Sequence, residues 1–229
     1  MTITNRTLVV MAKAPRPGSV KTRLAQHLSL QAVTELYRCL LNDTIALAQV
    51  LDHVEVAIMC PASDVEELSR AVDKTVPIVA QTGLGLAAGL TSVFAHFASR
   101  DHQRVIAFNS DSPHLPASEL VTAFDILEAS DLVVGPTHDG GYYLVGAGAC
   151  HPGLFTSDGM GTGNALETLL GRAHALGLSA QLTGRFYDID VAADLSQLAD
   201  ELQRVPGKAP RTAKWLSECQ VRSANKGFL

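Results

Sequence analysis

Val9-Val10-Met11-Ala12-Lys13-Ala14-Pro15-Arg16-Pro17-Gly18-Ser19-Val20-Lys21-Thr22-Arg23-Leu24 passes from an apolar run to a basic turn. The apolar run, Thr7 to Met11, suits a buried strand that stops at a Pro/Gly loop, and a helical pattern follows. Lys13, Arg16, Lys21 and Arg23 crowd that one turn. A loop between a strand and a helix N-terminus offers backbone N–H groups and the positive end of a helix dipole, so anions are favoured there. Four added cations point to phosphate or diphosphate. A solvated basic loop is the plainer reading of the same residues.

Working outward, strand-like and helix-like segments alternate. Leu30, Val33, Leu36, Tyr37, Leu40, Leu41, Ile45 and Leu47-Ala48 recur at helical spacing. Val54 to Cys60 and Val76 to Ala80 read as strands around a helix carrying Val65, Leu68 and Val72, with Ser63 placed to cap it. A helix over Leu86 to Ala98 precedes a strand over Val105 to Phe108. Ala117 to Leu127 is helical and Leu132 to Val134 extended. The short loop Gly135 to Gly140 makes the strand opening at Tyr142 an antiparallel or splayed neighbour. Thr162 to Leu176 reads as helix, Gln181-Leu182 as extended, Ala193 to Leu202 as a closing helix, and Thr212 to Cys219 as a last periodic stretch.

Repeated strand–helix units predict an α/β fold, a three-layer sandwich with a mainly parallel mixed sheet. No repeat or linker interrupts residues 1–229, so one domain is expected, with a C-terminal extension from about residue 204. In such sheets ligands lie beyond the carboxyl ends of the strands. The chemistry is therefore sought after Met11, Ala80, Phe108 and Val134.

Composition narrows the class. With 229 residues, 47% of them apolar, the chain can bury a substantial core. A net charge of −5 argues against a generic nucleic-acid partner, which requires a basic surface. Cys39, Cys60, Cys150 and Cys219 form no CxxC pair, which fits reduced thiols in a cytoplasmic protein. Neither a signal-peptide pattern nor a membrane span is read from the sequence.

Three acidic segments complement the basic turn. In Phe108-Asn109-Ser110-Asp111-Ser112-Pro113-His114, Asp111 follows a buried strand directly and can ligate a hard divalent cation that bridges phosphate oxygens. A carboxylate there also caps backbone N–H groups. Gly135-Pro136-Thr137-His138-Asp139-Gly140-Gly141-Tyr142 holds two glycines that allow close ligand approach, although Asp-Gly is equally a hairpin signal. In Tyr187-Asp188-Ile189-Asp190, the two carboxylates project to one side of an extended chain and suit a shared cation. Asp190 could instead cap the closing helix, with Asp194 a solvated first-turn residue. His114 and His138 fall in these loops, but the histidines form no metal-ligand pattern. The G-x-x-x-x-G-K-[ST] and G-x-S-x-G motifs are absent, which leaves P-loop ATPase and serine hydrolase chemistry without support.

Taken in order, M-A-K-A-P-x-P-G-x-V-K-T-R-L at 11–24, S-D-S-P-x-L at 110–115, G-P-x-x-D-G-G-Y-Y-L at 135–144 and D-I-D-x-x-x-D-L at 188–195 carry a family likeness. The chain resembles bacterial glycosyltransferase-A-like proteins of the nucleotide-diphospho-sugar transferase superfamily. More distantly, it is similar to the guanylyltransferase that activates phospholactate or phosphoenolpyruvate. The resemblance spans Leu8 to Leu195. It implies a GT-A-like fold, a nucleotide or nucleotide-sugar with a small-molecule acceptor as partners, and Mg²⁺ or Mn²⁺ as cofactor. Asp111 and Lys21 become candidate catalytic residues, and Asp111, Asp188 and Asp190 candidate metal ligands. Candidate nucleotide-binding residues are Lys13, Pro17, Gly18, Lys21, Thr22 and Arg23 of the basic turn, Gln81 and Gly83, and Gly140 and Gly141.

The resemblance implies either glycosyl transfer or nucleotidyl transfer with pyrophosphate release. A nucleotide-binding protein without turnover is the third expectation, and a homodimer is left open. Two departures bear on this. The family's Q-x-G-x-D-L-G-x-R reads Gln81-Thr82-Gly83-Leu84-Gly85-Leu86-Ala87-Ala88-Gly89 here, and its Trp-Ser-Thr reads Met160-Gly161-Thr162.

Overall fold

Strand β1 (Arg6–Met11) is an inner strand, paired along both edges, with Leu8, Val9 and Val10 fully buried. The computed structural model describes residues 5–98, 104–156 and 163–226. Among these, seven strands form one sheet in the order β3-β2-β1-β4-β6-β5-β7. The others are β2 (Glu55–Cys60), β3 (Ile78–Ala80), β4 (Arg104–Asn109), β5 (Leu132–Pro136), β6 (Tyr142–Ala147) and β7 (Ala180–Leu182). β1, β2, β3 and β4 pair in parallel, as do β5 and β7, whereas β6 runs antiparallel to both β4 and β5. The expected mixed, mainly parallel α/β sheet is present, and β6 is its reversed strand.

Period-two alternation divides the apolar side chains between two faces. Leu8, Val10, Ile106 and Phe108 pack toward α1 (Leu30–Gln49), α2 (Val65–Ala71) and α4 (Ala117–Ile126). Val9, Ala57, Val105 and Val145 pack toward α3 (Gly85–Ala98) and α5 (Ala165–Ala175). Such strands are buried on both faces, so they read as continuous apolar runs rather than alternating ones. Ile189, Leu198, Leu202 and Leu216 join α6 (Ala192–Arg204) and α7 (Pro210–Lys226) to the outer side of α1.

Local structure departs from the sequence reading at three places. The basic turn does not open a long helix: Thr22–Gln26 is a five-residue 3₁₀ turn that ends at His27. A single short turn has little dipole, so an anion here would depend on the cationic side chains rather than on a helix dipole. Ser63 does not cap α2, because its hydroxyl donates to Asp64 Oδ1 at 2.9 Å. The last periodic stretch extends to Lys226, beginning with Pro210 at the first helical position, where a missing N–H costs nothing.

Candidate active site

β1 and β4 are adjacent parallel strands, and Met11 is in register with Asn109. Chain order reverses between them, so the turns that follow diverge around a crevice at the sheet's carboxyl edge. The basic turn and the Asp111 turn consequently leave the sheet side by side. β5 brings in the third element. His138 N donates to Phe186 O at 3.0 Å and Phe186 N to Pro136 O at 3.1 Å, drawing residues 186–190 along the end of that strand.

Lys21 joins the three segments. Its Nζ contacts the Asp111 carboxylate and donates to Asp190 Oδ1 at 2.9 Å, and its side chain is 9% exposed. Burial pulls the ammonium pKa down, but the charges of Asp111 and Asp190 outweigh it and hold Lys21 above its ordinary value. Arg23 lies 3.7 Å from Asp190 and is largely exposed. These groups share a cleft of about 470 Å³ with Lys13, Thr22, Tyr37 and Tyr142. That size suits a small ligand.

Asp190 pairs with Lys21 rather than capping α6. Asp194 is not simply solvated: its Oδ2 accepts from the backbone N–H of Asp190 and of Val191, each at 2.8 Å. Asp194 therefore fixes the backbone that presents Asp190. Asp188 is half-buried, and its carboxyl is pushed up to about 7 by burial first and by the charge of Asp111 second. Asp139, in the β5–β6 turn, accepts from Thr137 Oγ1 at 2.6 Å and from Gly141 N at 3.1 Å, which holds its carboxyl below the usual range.

Several sequence-chosen residues lie elsewhere or serve the chain itself. Arg16 turns to α2, with Nη1 at 2.7 Å from Asp64 and Nε at 2.6 Å from Glu67, so three cations of the turn face the cleft rather than four. Pro17 and Gly18 are exposed on the basic turn and do not line the cleft. Neither Gln81 nor Gly83 lines it: Gln81 Nε2 donates to the carbonyls of Gly83 (3.1 Å) and Gly85 (3.2 Å), lacing its own loop. Gly140 has φ +86°, and a Cβ there would stand 1.8 Å from Gly163 O. A Cβ on Gly141 would meet Thr137 Oγ1 at 2.9 Å. Both glycines are required by the turn's packing on the chain, and neither lines the cleft. His138 is exposed. Met160-Gly161-Thr162 lies outside the described residues.

One cleft residue escaped the sequence reading. On α1, Tyr37 sits in the helical apolar pattern, yet its hydroxyl accepts from Lys13 N at 3.2 Å and bonds Ser110 Oγ at 2.9 Å. It thus ties the basic turn to the acidic one. Tyr37→Phe keeps the ring and strands both partners. A stability loss of about 1–2 kcal/mol is expected in urea unfolding, and an unchanged midpoint would show the tie to be idle.

His114 also belongs to the interior. Its ring packs against Tyr187 at a 30° tilt with centroids 4.3 Å apart, and Nε2 lies 3.2 Å from Tyr187 O. Burial pulls its pKa down to about 4, against a partial opposing pull from Glu201. The folded state therefore binds the His114 proton less readily than the unfolded chain. This residue's share of stability is intact above about pH 6.5 and is lost as pH falls toward 4, roughly 3 kcal/mol in all. Urea unfolding of wild type and His114→Leu at neutral and acidic pH checks this. The variant should show a shallower acid dependence, and parallel curves would contradict the assignment.

The model of a family described as "Uncharacterized protein conserved in bacteria (DUF2064)" matches residues 44–162, just over half of the chain. No curated protein matches the sequence significantly. In fold, the molecule is similar to the crystal structure of a candidate nucleotide-diphospho-sugar transferase from Desulfovibrio desulfuricans G20. The TM-score is 0.88 and the identity 24%, with 96% of each chain covered. It is also similar to 4-diphosphocytidyl-2C-methyl-D-erythritol synthase from Anaerococcus prevotii DSM 20548, with TM-score 0.52, 9% identity and 88% and 98% coverage. A third likeness is to CMP:2-keto-3-deoxy-manno-octonic acid synthetase complexed with CTP, with TM-score 0.50, 9% identity and 87% and 99% coverage. At these identities the likenesses establish the fold. Among the described residues, no helix is long and apolar enough to cross a membrane.

Proposed function

Because this chain belongs to the bacterial DUF2064 family, with a fold similar to nucleotide-handling enzymes, we propose that it is a metal-dependent transferase acting on a nucleotide-activated donor. Sugar transfer from a nucleotide-diphospho-sugar is the preferred reaction. One observation carries this reading: Lys21 is bracketed by Asp111 and Asp190 in a cleft that Lys13 and Arg23 also line. Such a cleft offers cations for phosphate and carboxylates for a divalent ion. The same mixture has little use for a neutral ligand.

Fit to a metal is judged from the donor set. Asp111 and Asp190 already gather one cation, the Lys21 ammonium, while burial first and the charge of Asp111 second disfavour ionisation of Asp188. Hard oxygen donors of this kind suit Mg²⁺ or Mn²⁺. No cluster of three His, Cys, Asp or Glu ligands is preformed among the described residues, and Lys21 bridges the two carboxylates. Asp111 and Asp190, which line the cleft, would hold the ion, with Asp188 outside that lining as a third candidate, and the ion would neutralise phosphate charge. Lys21, Lys13, Thr22 and Arg23 would bind the phosphates. Rate enhancement would come from positioning and fixed charge rather than a covalent intermediate.

Nucleotidyl transfer is the second reading, motivated by the likeness in fold to a synthetase complexed with CTP. The reaction products separate the alternatives. Incubation with nucleotide sugars, nucleoside triphosphates and a panel of acceptors, followed by mass spectrometry, should yield a nucleoside diphosphate if sugar is transferred. Pyrophosphate would transfer the assignment to the nucleotidyl reaction. Metal-dependent binding with neither product would leave a binding protein without turnover.

A further inference from the structure

We propose that Lys21 is a displaceable internal cation that keeps free divalent metal out of the Asp111–Asp190 pair until a phosphate-bearing ligand draws its ammonium away. The inference rests on the transferase reading of the same cleft and adds an order of entry to it.

Three observations support it. First, the ammonium touches both carboxylates at once, so it and a divalent ion compete for the same oxygens. Second, the three side chains differ in exposure. Lys21 is 9% exposed, Asp111 19% and Asp190 38%, so the carboxylates stay reachable from the cleft while the lysine plugs the pair from within. Third, Lys21 Nζ ends a flexible stem in a cleft that Lys13, Thr22 and Arg23 also line, so the ammonium can turn to an anion there while its backbone keeps the left-handed φ 46° and ψ 45°.

Charge arithmetic gives the direction. With Lys21 in place the two carboxylates and one ammonium sum to one negative charge; without it the pair presents two. A divalent ion is drawn far more strongly to the second state. A phosphate entering beside Lys13, Thr22 and Arg23 offers the ammonium an alternative partner, and the flexible lysine stem can follow it without backbone movement. The vacated carboxylates then receive the ion that accompanies the ligand. Metal and phosphate therefore bind with positive coupling, and by linkage each strengthens the other equally.

The test titrates Mn²⁺ alone into the nucleotide-free full chain and follows the free-ion signal by electron paramagnetic resonance. Wild type should bind weakly. Lys21→Met should bind Mn²⁺ about tenfold more tightly or better, and Lys21→Gly should do the same. Glycine suits the left-handed backbone, so this variant keeps the test valid if Lys21→Met fails to fold. Lys21→Arg, which retains the charge, should resemble wild type, and adding Asp111→Asn to Lys21→Met should cancel the gain. The inference is overturned if the folded Met or Gly variants bind Mn²⁺ no more tightly than wild type, or if the gain survives in the double variant. Failure of wild type to bind nucleotide with metal would defeat the transferase reading alone. Equal Mn²⁺ affinities in a wild type that does turn over nucleotide would defeat only the exclusion by Lys21.

Discussion

Replacing Asp111 with Asn is expected to weaken Mn²⁺-dependent binding of a nucleoside diphosphate on the order of a hundredfold, with the fold retained. The amide preserves the shape of the side chain, so the turn after β4 keeps its path. What disappears is the charge that both contacts the Lys21 ammonium and would ligate the ion. Lys21 is then left with Asp190 as its carboxylate partner, and the cleft loses most of its claim on a divalent cation. Calorimetric titration with and without chelator measures the effect. Unchanged affinity would take Asp111 out of the site.

Asp43→Ala is expected to cost about 3–4 kcal/mol of stability, although Asp43 lies outside the cleft. Its side chain is fully buried on α1 and serves the start of α7. Oδ2 accepts from Thr212 N at 2.7 Å, while Oδ1 receives Arg211 N at 3.4 Å and Arg211 Nη1 at 3.2 Å. Alanine leaves helix-terminal N–H groups unpaired in the interior and strips Arg211 of its counter-ion. Asp43→Asn should cost less, since an amide oxygen still accepts. Urea unfolding checks both, and a loss below about 1 kcal/mol for alanine would show that α7 is held by its apolar contacts alone. The same helix carries Tyr37, so α7 braces the element that ties the basic and acidic turns together.

What could be read from the sequence follows the range of the interactions involved. Central strands are legible because burial on both faces produces uninterrupted apolar runs, as in Leu8-Val9-Val10 and Val105 to Phe108. The turns after β1 and β4 are legible because charged residues directly beyond a buried strand have few structural reasons to be there. Their meeting was inferred only from the general behaviour of parallel sheets. The register of Met11 with Asn109 is what brings it about.

Other features are set by partners distant in sequence. Arg16 looks identical to its basic neighbours until α2 places Asp64 and Glu67 beside it. The glycines at 140 and 141 suggest ligand approach, and only the folded chain puts Gly163 and Thr137 against them. Tyr37 and Asp43 sit on a well-formed helical pattern, where periodicity identifies a buried face but not which buried groups carry hydrogen bonds. The 3₁₀ turn after Lys21 resembles a helix start because Leu24 is buried and helically spaced; it ends at His27 instead.

Diffraction from a crystal containing Mn²⁺ and a nucleoside diphosphate, recorded at the manganese absorption edge, tests the central claim most directly. An anomalous peak bonded to Asp111 and Asp190, with the diphosphate against Lys21 and Arg23, is the predicted result. Metal and nucleotide bound on any other face of the sheet, with Lys21 still locked between its two carboxylates, would contradict it.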